Sequence, residues 1–197
     1  MKFLQTITAA AFLAIGAASA QAQTWAIDPS HTEIGFNVTH LVISEVHGEF
    51  TDFQGSLTSS SEDFQDASIE FTAKVGSINT GDEKRDGHLK SPDFFDVANH
   101  PDLTFKSTSF KKVGDKTYKL TGDLTIKGVT KSVTLDATYR GTVTDPWGNT
   151  KSGFKIMGGI DRQDFGLTWT ASTAAGELVV GNEIEFDISV ELNKQQG

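Results

Sequence analysis

The segment "EIEFDISVEL", residues 183–192, alternates apolar and polar side chains without a break. Successive side chains of a β-strand point to opposite faces, so this pattern predicts a strand with one solvated and one buried face. Such strands are typical of antiparallel sheets. The same alternation predicts strands at residues 67–75, 118–127 and 133–140, with weaker signals at 33–41, 46–58, 102–112 and 152–165.

Short turn sequences separate these strands. Gly114 with Asp115, Gly128, and the "DPWG" of residues 145–148 are typical of tight hairpin connections. About eight antiparallel strands joined in this way predict an all-β protein. The succession of hairpins favours an up-and-down β-barrel, although periodicity alone leaves a β-sandwich open.

One predicted strand contains an irregularity. Within residues 46–58, Phe50 and Phe53 fall out of phase with each other. An extra residue in a strand restores the phase at the expense of one ladder position, so we expect a β-bulge at Thr51 or Asp52.

The N-terminus and the composition narrow the classes of function. Residues 1–22 combine Lys2 with an apolar run and small residues, which predicts a secretory signal peptide cleaved after Ala20 or Ala22. Residues 23–197 then form one domain.

A net charge of −9 and a pI near 4.9 argue against binding to nucleic acids or to anionic membrane surfaces. The absence of cysteine excludes disulfides, thiolate metal sites and cysteine nucleophiles.

A charged stretch interrupts the strand pattern. The "TGDE" of residues 80–83 matches a capping box, with Thr80 as the helix cap, and cations follow toward the far end. Ser91 and Pro92 can end this helix and begin a second short one. We therefore expect a short helical insertion at residues 82–96, formed by two helices.

Neither a catalytic nor a metal motif is apparent. Asp86 and His88 are two residues apart, a spacing that places them on different faces of a helix. His40 and His47 could meet across a hairpin beside Glu45, but hydrogen-bonded barrel-end histidines are the simpler interpretation. The sequence therefore predicts no enzyme activity and no metal site.

Two further polar groups are interpreted as structural. Arg162 and Asp164 in "DRQDFG" are expected to pair and to hold the end of a strand. Asp28 and His31 in "IDPSH" are expected to stabilise a turn. Neither group is predicted to bind a ligand.

The inward faces of the predicted strands are rich in phenylalanine, with 14 in the chain. An eight-stranded barrel either fills its interior with side chains or holds one small ligand. Composition alone favours a filled, dry core. The residues expected to line an apolar bore are Ile34, Phe36, Val38, Phe50, Phe53, Leu57, Ile69, Phe71, Val75, Phe94, Phe95, Phe105, Phe186 and Ile188.

Several segments resemble the YceI-like family in their order and spacing. They are residues 25–57, 78–108 (with "KRDGHLKSPDFFD"), 122–135, "DPWG" and the "DRQDFGLTW" of residues 161–169. The resemblance implies an exported, lipocalin-like barrel that binds a polyisoprenoid or a related long-chain amphiphile. It also implies a helix beside the opening, a periplasmic location and a tendency to form homodimers.

Together these observations suggest a carrier of a long-chain isoprenoid lipid that requires no cofactor. Arg85, His88 and Lys90 are candidates to contact its head group, either a polyprenyl phosphate or an isoprenoid quinone. A solvated helix face is the alternative for these three residues. Two other functions stay open, a stress-response barrel with a closed core and an enzyme acting on a related amphiphile. The donor and the acceptor of the lipid are not indicated.

Overall fold

The computed structural model describes residues 21–196, so the predicted signal peptide lies outside the described residues except for its last two positions. The described chain is mainly β-structure with one α-helix. Its elements are β1 Gln23–Ile27, β2 Glu33–His40, β3 Ser44–Phe50, β4 Phe53–Ser59, β5 Ser68–Lys74, β6 Ile78–Asn79, α1 Glu83–Lys90, β7 Asp102–Lys112, β8 Thr117–Ile126, β9 Val129–Thr144, β10 Thr150–Asp161 and β11 Val180–Lys194.

The strands form a closed antiparallel barrel. Strand β11 pairs with β10 on one side and with both β1 and β2 on the other, so β1 and β2 are two halves of one bent strand. Strands β3 and β4 form a second bent strand, and β5 with β6 a third. The eleven segments therefore occupy eight positions, and chain neighbours are barrel neighbours. The predicted up-and-down barrel is confirmed and the sandwich is excluded.

The predicted bulge marks a complete break in the strand. Residues 51 and 52 separate β3 from β4, and the chain changes its pairing partners there. The amides of Thr51 and Asp52 donate to the Ser77 hydroxyl at 3.1 and 3.0 Å. Because these donors are satisfied outside the ladder, the chain can bend sharply where a single bulge was expected.

The helical insertion is shorter than predicted. Helix α1 is capped by Asp82, whose carboxylate accepts from the amides of Lys84 and Arg85 at 2.9 and 3.0 Å. Thr80 is not the cap, because its hydroxyl donates to Asp86. The capping-box prediction was therefore wrong by two residues.

The second helix of the insertion is absent from the described residues, where turns follow α1. The amides of Phe95 and Val97 donate to the carbonyls of Leu89 and Lys90 at 3.0 and 3.1 Å. The chain after Ser91 thus folds back onto the end of α1 and satisfies its free carbonyls. These bonds replace the ones that a second helix would need.

An aromatic plug closes one end of the barrel. Phe64, only 3% exposed, lies 5.5 Å from the ring of Trp25 and 5.4 Å from that of Phe154. The Tyr118 hydroxyl donates to the Asp63 carbonyl at 2.7 Å and fixes the loop that carries Phe64. Helix α1 and residues 91–100 lie at the opposite end of the barrel, in the connection between β6 and β7.

Phe64→Ala should lower the free energy of unfolding by about 3–5 kcal/mol, since a large buried ring is replaced by a cavity. Alanine keeps the Cβ that strains the backbone at φ 59°, so the loss reports packing. Urea unfolding followed by circular dichroism measures it. As a control, Val113→Ala at a position 60% exposed should change stability by less than about 0.5 kcal/mol. Equal losses in the two variants would contradict the plug.

Candidate ligand-binding site

The barrel encloses an inner chamber of about 130 Å³ next to the plug. All eight barrel positions contribute to its wall, mostly at every second residue of a strand. The wall is apolar apart from Gly35, Ser56 and Glu70. Its apolar residues are Ile27, Ile34, Phe36, Phe50, Leu57, Ile69, Phe71, Leu103, Phe105, Phe110, Leu120, Leu124, Val133, Leu135, Ala137, Phe154, Ile156, Phe186, Ile188, Val190 and Leu192.

A larger outer chamber of about 470 Å³ lies at the helix end and opens to solvent there. Phe36, Phe50, Leu103 and Phe186 line both chambers, so the two adjoin each other. Their combined volume lies within the range of roughly 300–1,000 Å³ that is typical of ligand pockets. We call the solvent end of the outer chamber the mouth.

Twelve of the fourteen predicted bore residues line one of the two chambers. Phe53 and Val75 do not. Phe53 packs beside Phe71, with ring centroids 6.3 Å apart, and Val75 is 1% exposed in the core. Both residues lie at the end of the β4–β5 ladder, where the turn after β5 begins, outside the lining of the two chambers.

Much of one wall was not predicted from the sequence. Strands β8, β9 and β10 were predicted, but their inward residues were not assigned to the bore. The missed residues are Leu120, Leu124, Val133, Leu135, Ala137, Phe154 and Ile156. The alternation that predicted these strands also indicates which of their residues line the bore, since a closed barrel turns the apolar face of every strand inward.

The three predicted head-group residues differ in position. Arg85 and His88 line the outer chamber and Lys90 does not. Arg85 is turned back on its own segment, because Nε and Nη2 donate to the hydroxyl and the carbonyl of Thr80, each at 2.7 Å. His88 Nε2 lies 3.3 Å from an Asp93 carboxylate oxygen.

An aromatic cluster at the mouth includes Trp169, which sequence reasoning did not single out. The His88 ring lies edge-on to Phe94 and to Trp169, with centroids 5.0 and 5.1 Å apart. Phe94 and Trp169 are 5.2 Å apart. We refer to His88, Phe94 and Trp169 as the mouth cluster, and all three line the outer chamber.

Buried Arg162 holds Trp169 in place. Its guanidinium donates to the carbonyls of Trp169 and Gly181, each at 2.9 Å, and to that of Leu167. Burial lowers the pKa of Arg162. The predicted pairing with Asp164 was wrong, because backbone carbonyls satisfy this arginine instead.

The histidine pair suggested for a metal does not form. His47 bonds to Asn37 across the β2–β3 ladder, whereas His40 lies at its end opposite Ser44. No shared ligand is therefore available to the two histidines among the described residues.

Within the described residues, the side chains of Asp28, His31 and Glu191 lie close enough to hold a metal ion. An ammonium group already occupies this site, since Lys151 Nζ lies 2.9 Å from Asp28 and 2.7 Å from Glu191. The bond from Lys151 holds the pKa of Asp28 well below its usual range. This cluster of ion pairs links the turn after β1 to β10 and β11, as expected for a structural site.

The described residues contain no helix that is long and apolar enough to cross a membrane.

Comparison with known proteins gives consistent results. A family model described as the YceI-like domain matches residues 25–192. Protein YceI of Salmonella newport (strain SL254) is 39% identical over 175 residues, which cover 88% of each chain. A crystal structure of a Campylobacter jejuni YceI protein is 33% identical and covers 80% of this chain and 90% of its own, with a TM-score of 0.67.

A more distant neighbour shares the architecture. A polyisoprenoid binding domain from Saccharophagus degradans superposes with a TM-score of 0.64, over 87% of this chain and 98% of that one. Its identity of 14% supports the fold alone. The family model and the 39% identical relative carry the assignment, and this chain belongs to the YceI-like family.

Proposed function

We propose that this protein binds one long-chain isoprenoid lipid, with the tail in the two chambers and the head group at the mouth, and carries it through the periplasm. The two adjoining apolar chambers, closed at the Phe64 end and open at the helix end, are the observation that supports this function. A single flexible hydrocarbon chain fits a narrow bore of this kind. The polyisoprenoid binding domain cited above supports the choice only through its shared fold.

The energetics favour a long tail. Each methylene transferred from water to an apolar wall contributes about 0.8 kcal/mol, so a few isoprene units would give tight binding even after immobilisation costs. The polar residues at the mouth can add little to this. They are better suited to orient the lipid and to select its head group.

The mouth cluster favours a flat, neutral head group. Arg85 and Arg162 already donate to protein oxygens, which leaves Lys84 as the mouth cation without such a bond among the described residues. The three rings of the mouth cluster offer aromatic faces and edges, which stack well on a planar ring. We therefore propose an isoprenoid quinone in preference to a polyprenyl phosphate.

We propose binding without catalysis and without a cofactor. His88 contacts Asp93 and two aromatic rings, and in the described structure none of these groups is a nucleophile that it could activate. A closed core is disfavoured because the interior holds two open chambers. Export to the periplasm rests on the predicted signal peptide, and homodimer formation rests on the family resemblance.

Native mass spectrometry of protein purified gently from its own cells tests the proposal. A stoichiometric adduct, extracted into organic solvent and identified as an isoprenoid lipid, is the expected result. A clean unliganded mass that does not change after incubation with isoprenoid lipids would overturn the proposal. Fractionation of the same cells tests the periplasmic location.

Affinity should depend on tail length up to a limit. In a series of isoprenoid alcohols, each added unit should tighten binding at least tenfold until the tail reaches the plug, after which the gain should stop. Ala137→Phe narrows the inner chamber and should shorten this limit by about one unit. Met157→Phe on the outer face of β10 is the matched control and should leave the limit unchanged. An affinity independent of length would contradict tail binding in the bore.

Head-group preference should depend on Trp169. Trp169→Ala should weaken binding of a benzoquinone with four isoprene units about fivefold to tenfold, because stacking at the mouth is lost. Affinity for the alcohol with the same tail should change less than twofold. Lys90→Ala, outside the chamber lining, serves as the control. If Trp169→Ala weakens both ligands equally, the mouth cluster does not recognise the ring.

A further inference from the structure

The hairpin between β2 and β3 carries an exposed apolar tip beside the mouth. The tip consists of Leu41, Val42 and Ile43, which separate the two strands. Val42 is 62% exposed and Ile43 is 86% exposed. Ile43 is therefore almost fully in solvent, although it is a large β-branched hydrophobe.

The backbone of the tip is unusual for such residues. Leu41 and Val42 adopt φ angles of 52° and 65°, a left-handed conformation that β-branched side chains disfavour. Asparagine or glycine would form this turn with less strain. Stability of the turn therefore does not explain the presence of Val42, and an interaction made by its side chain would.

The tip is joined to the mouth. The Leu41 amide donates to the Val179 carbonyl at 3.0 Å, and Val179 lines the outer chamber. Val38 and His40, which lead into the tip, also line that chamber. A surface that holds the tip would thus lie directly over the opening of the bore.

We infer that the tip inserts into the surface of a lipid bilayer and places the mouth against it, so that the isoprenoid passes between the bilayer and the bore without crossing water. This inference rests on the proposed function, because only a lipid ligand requires such a route. Three side chains bury too little area for a stable protein interface, which needs roughly 800 Å² from each partner. Their apolar area suits weak, reversible insertion into the interfacial layer of a membrane, because such binding scales with the apolar area that is buried.

Charge at the mouth fits this partner. The protein has a net charge of −9. The charged residues that line the outer chamber are nevertheless mainly basic, namely Lys84, Arg85 and Arg162 against Asp82. The Asp82 carboxylate is engaged in capping α1. Arg85 and Arg162 donate to protein oxygens, so Lys84 is the mouth cation that remains available to a lipid phosphate among the described residues.

Flotation with vesicles and lipid transfer test the inference. Purified, delipidated protein is mixed with phosphatidylcholine vesicles that contain 20% phosphatidylglycerol and, for transfer, geranylgeraniol. The tip variant combines Val42→Asn with Ile43→Ser, and asparagine fits the left-handed turn better than valine does. The variant is therefore expected to fold, and thermal unfolding verifies that the fold is intact.

The control variant combines Val143→Ser with Trp147→Ser at the closed end, where Trp147 is 83% exposed. We expect the wild type and the control to float with the vesicles. The tip variant should show at least tenfold weaker partitioning and at least tenfold slower uptake of geranylgeraniol. Equal flotation of the tip variant, no flotation of the wild type, or loss in the control variant would overturn the inference. A dimer that depends on the tip and does not float would overturn it in favour of a second copy.

Vesicle-free binding of farnesol separates the two proposals. We expect the tip variant to bind farnesol within twofold of the wild-type affinity, because the tip lies outside the bore. Normal farnesol binding without any tip-dependent flotation would reject membrane docking by the tip and leave the proposed function standing. Failure of the wild type to bind farnesol or geranylgeraniol would count against the proposed function, whatever the flotation result.

Discussion

The ladder between β11 and the first bent strand is the constraint on which the rest of the structure depends. Strand β11 pairs with β2 from Val180 to Ser189 and with β1 from Leu192 to Lys194, so one strand spans both halves of its partner. This pairing turns a twisted sheet into a closed barrel and leaves no long unpaired edge on these strands. Closure also turns the apolar face of every strand toward one interior. The alternation of apolar and polar residues along the sequence therefore produces an apolar bore.

The bore stays open because the strands bend while the plug closes one end. The first three barrel positions are each broken into two segments, and at the third position only the β5 segment pairs with β7. Strand β6 pairs with β3 and not with β7, so α1 and the turns after it bridge the gap. The outer chamber lies beneath this bridge. At the other end the aromatic ring of Phe64 lies on the barrel axis and closes it. The interior of the barrel therefore opens at one end only.

Local patterns predicted the parts of the structure that depend on neighbouring residues. Alternation identified β5, β8, β9 and β11, and the turn at Asp145 formed as expected. Strand β1 was missed because five residues are too few to show a period. Sequence spacing did not predict the cap of α1 or the partners of Arg162, because both depend on contacts that form only in the folded chain. Trp169 lies in an irregular segment, and its role follows only from the folding of that segment beside α1.

A bore with one opening determines how a lipid must be held. In the proposed complex, a tail that enters at the mouth would end against Phe64, so a tail that matches the depth of the bore would leave its head group at the mouth. Entry and exit would then use the same opening, and the first group to meet a receiving surface would be the head group beside Trp169. Because the proposed site withdraws the tail from water, its release into solvent would be costly. Delivery would therefore be favoured only where another apolar phase touches the mouth, and the apolar tip at Val42 and Ile43 lies at that end of the barrel.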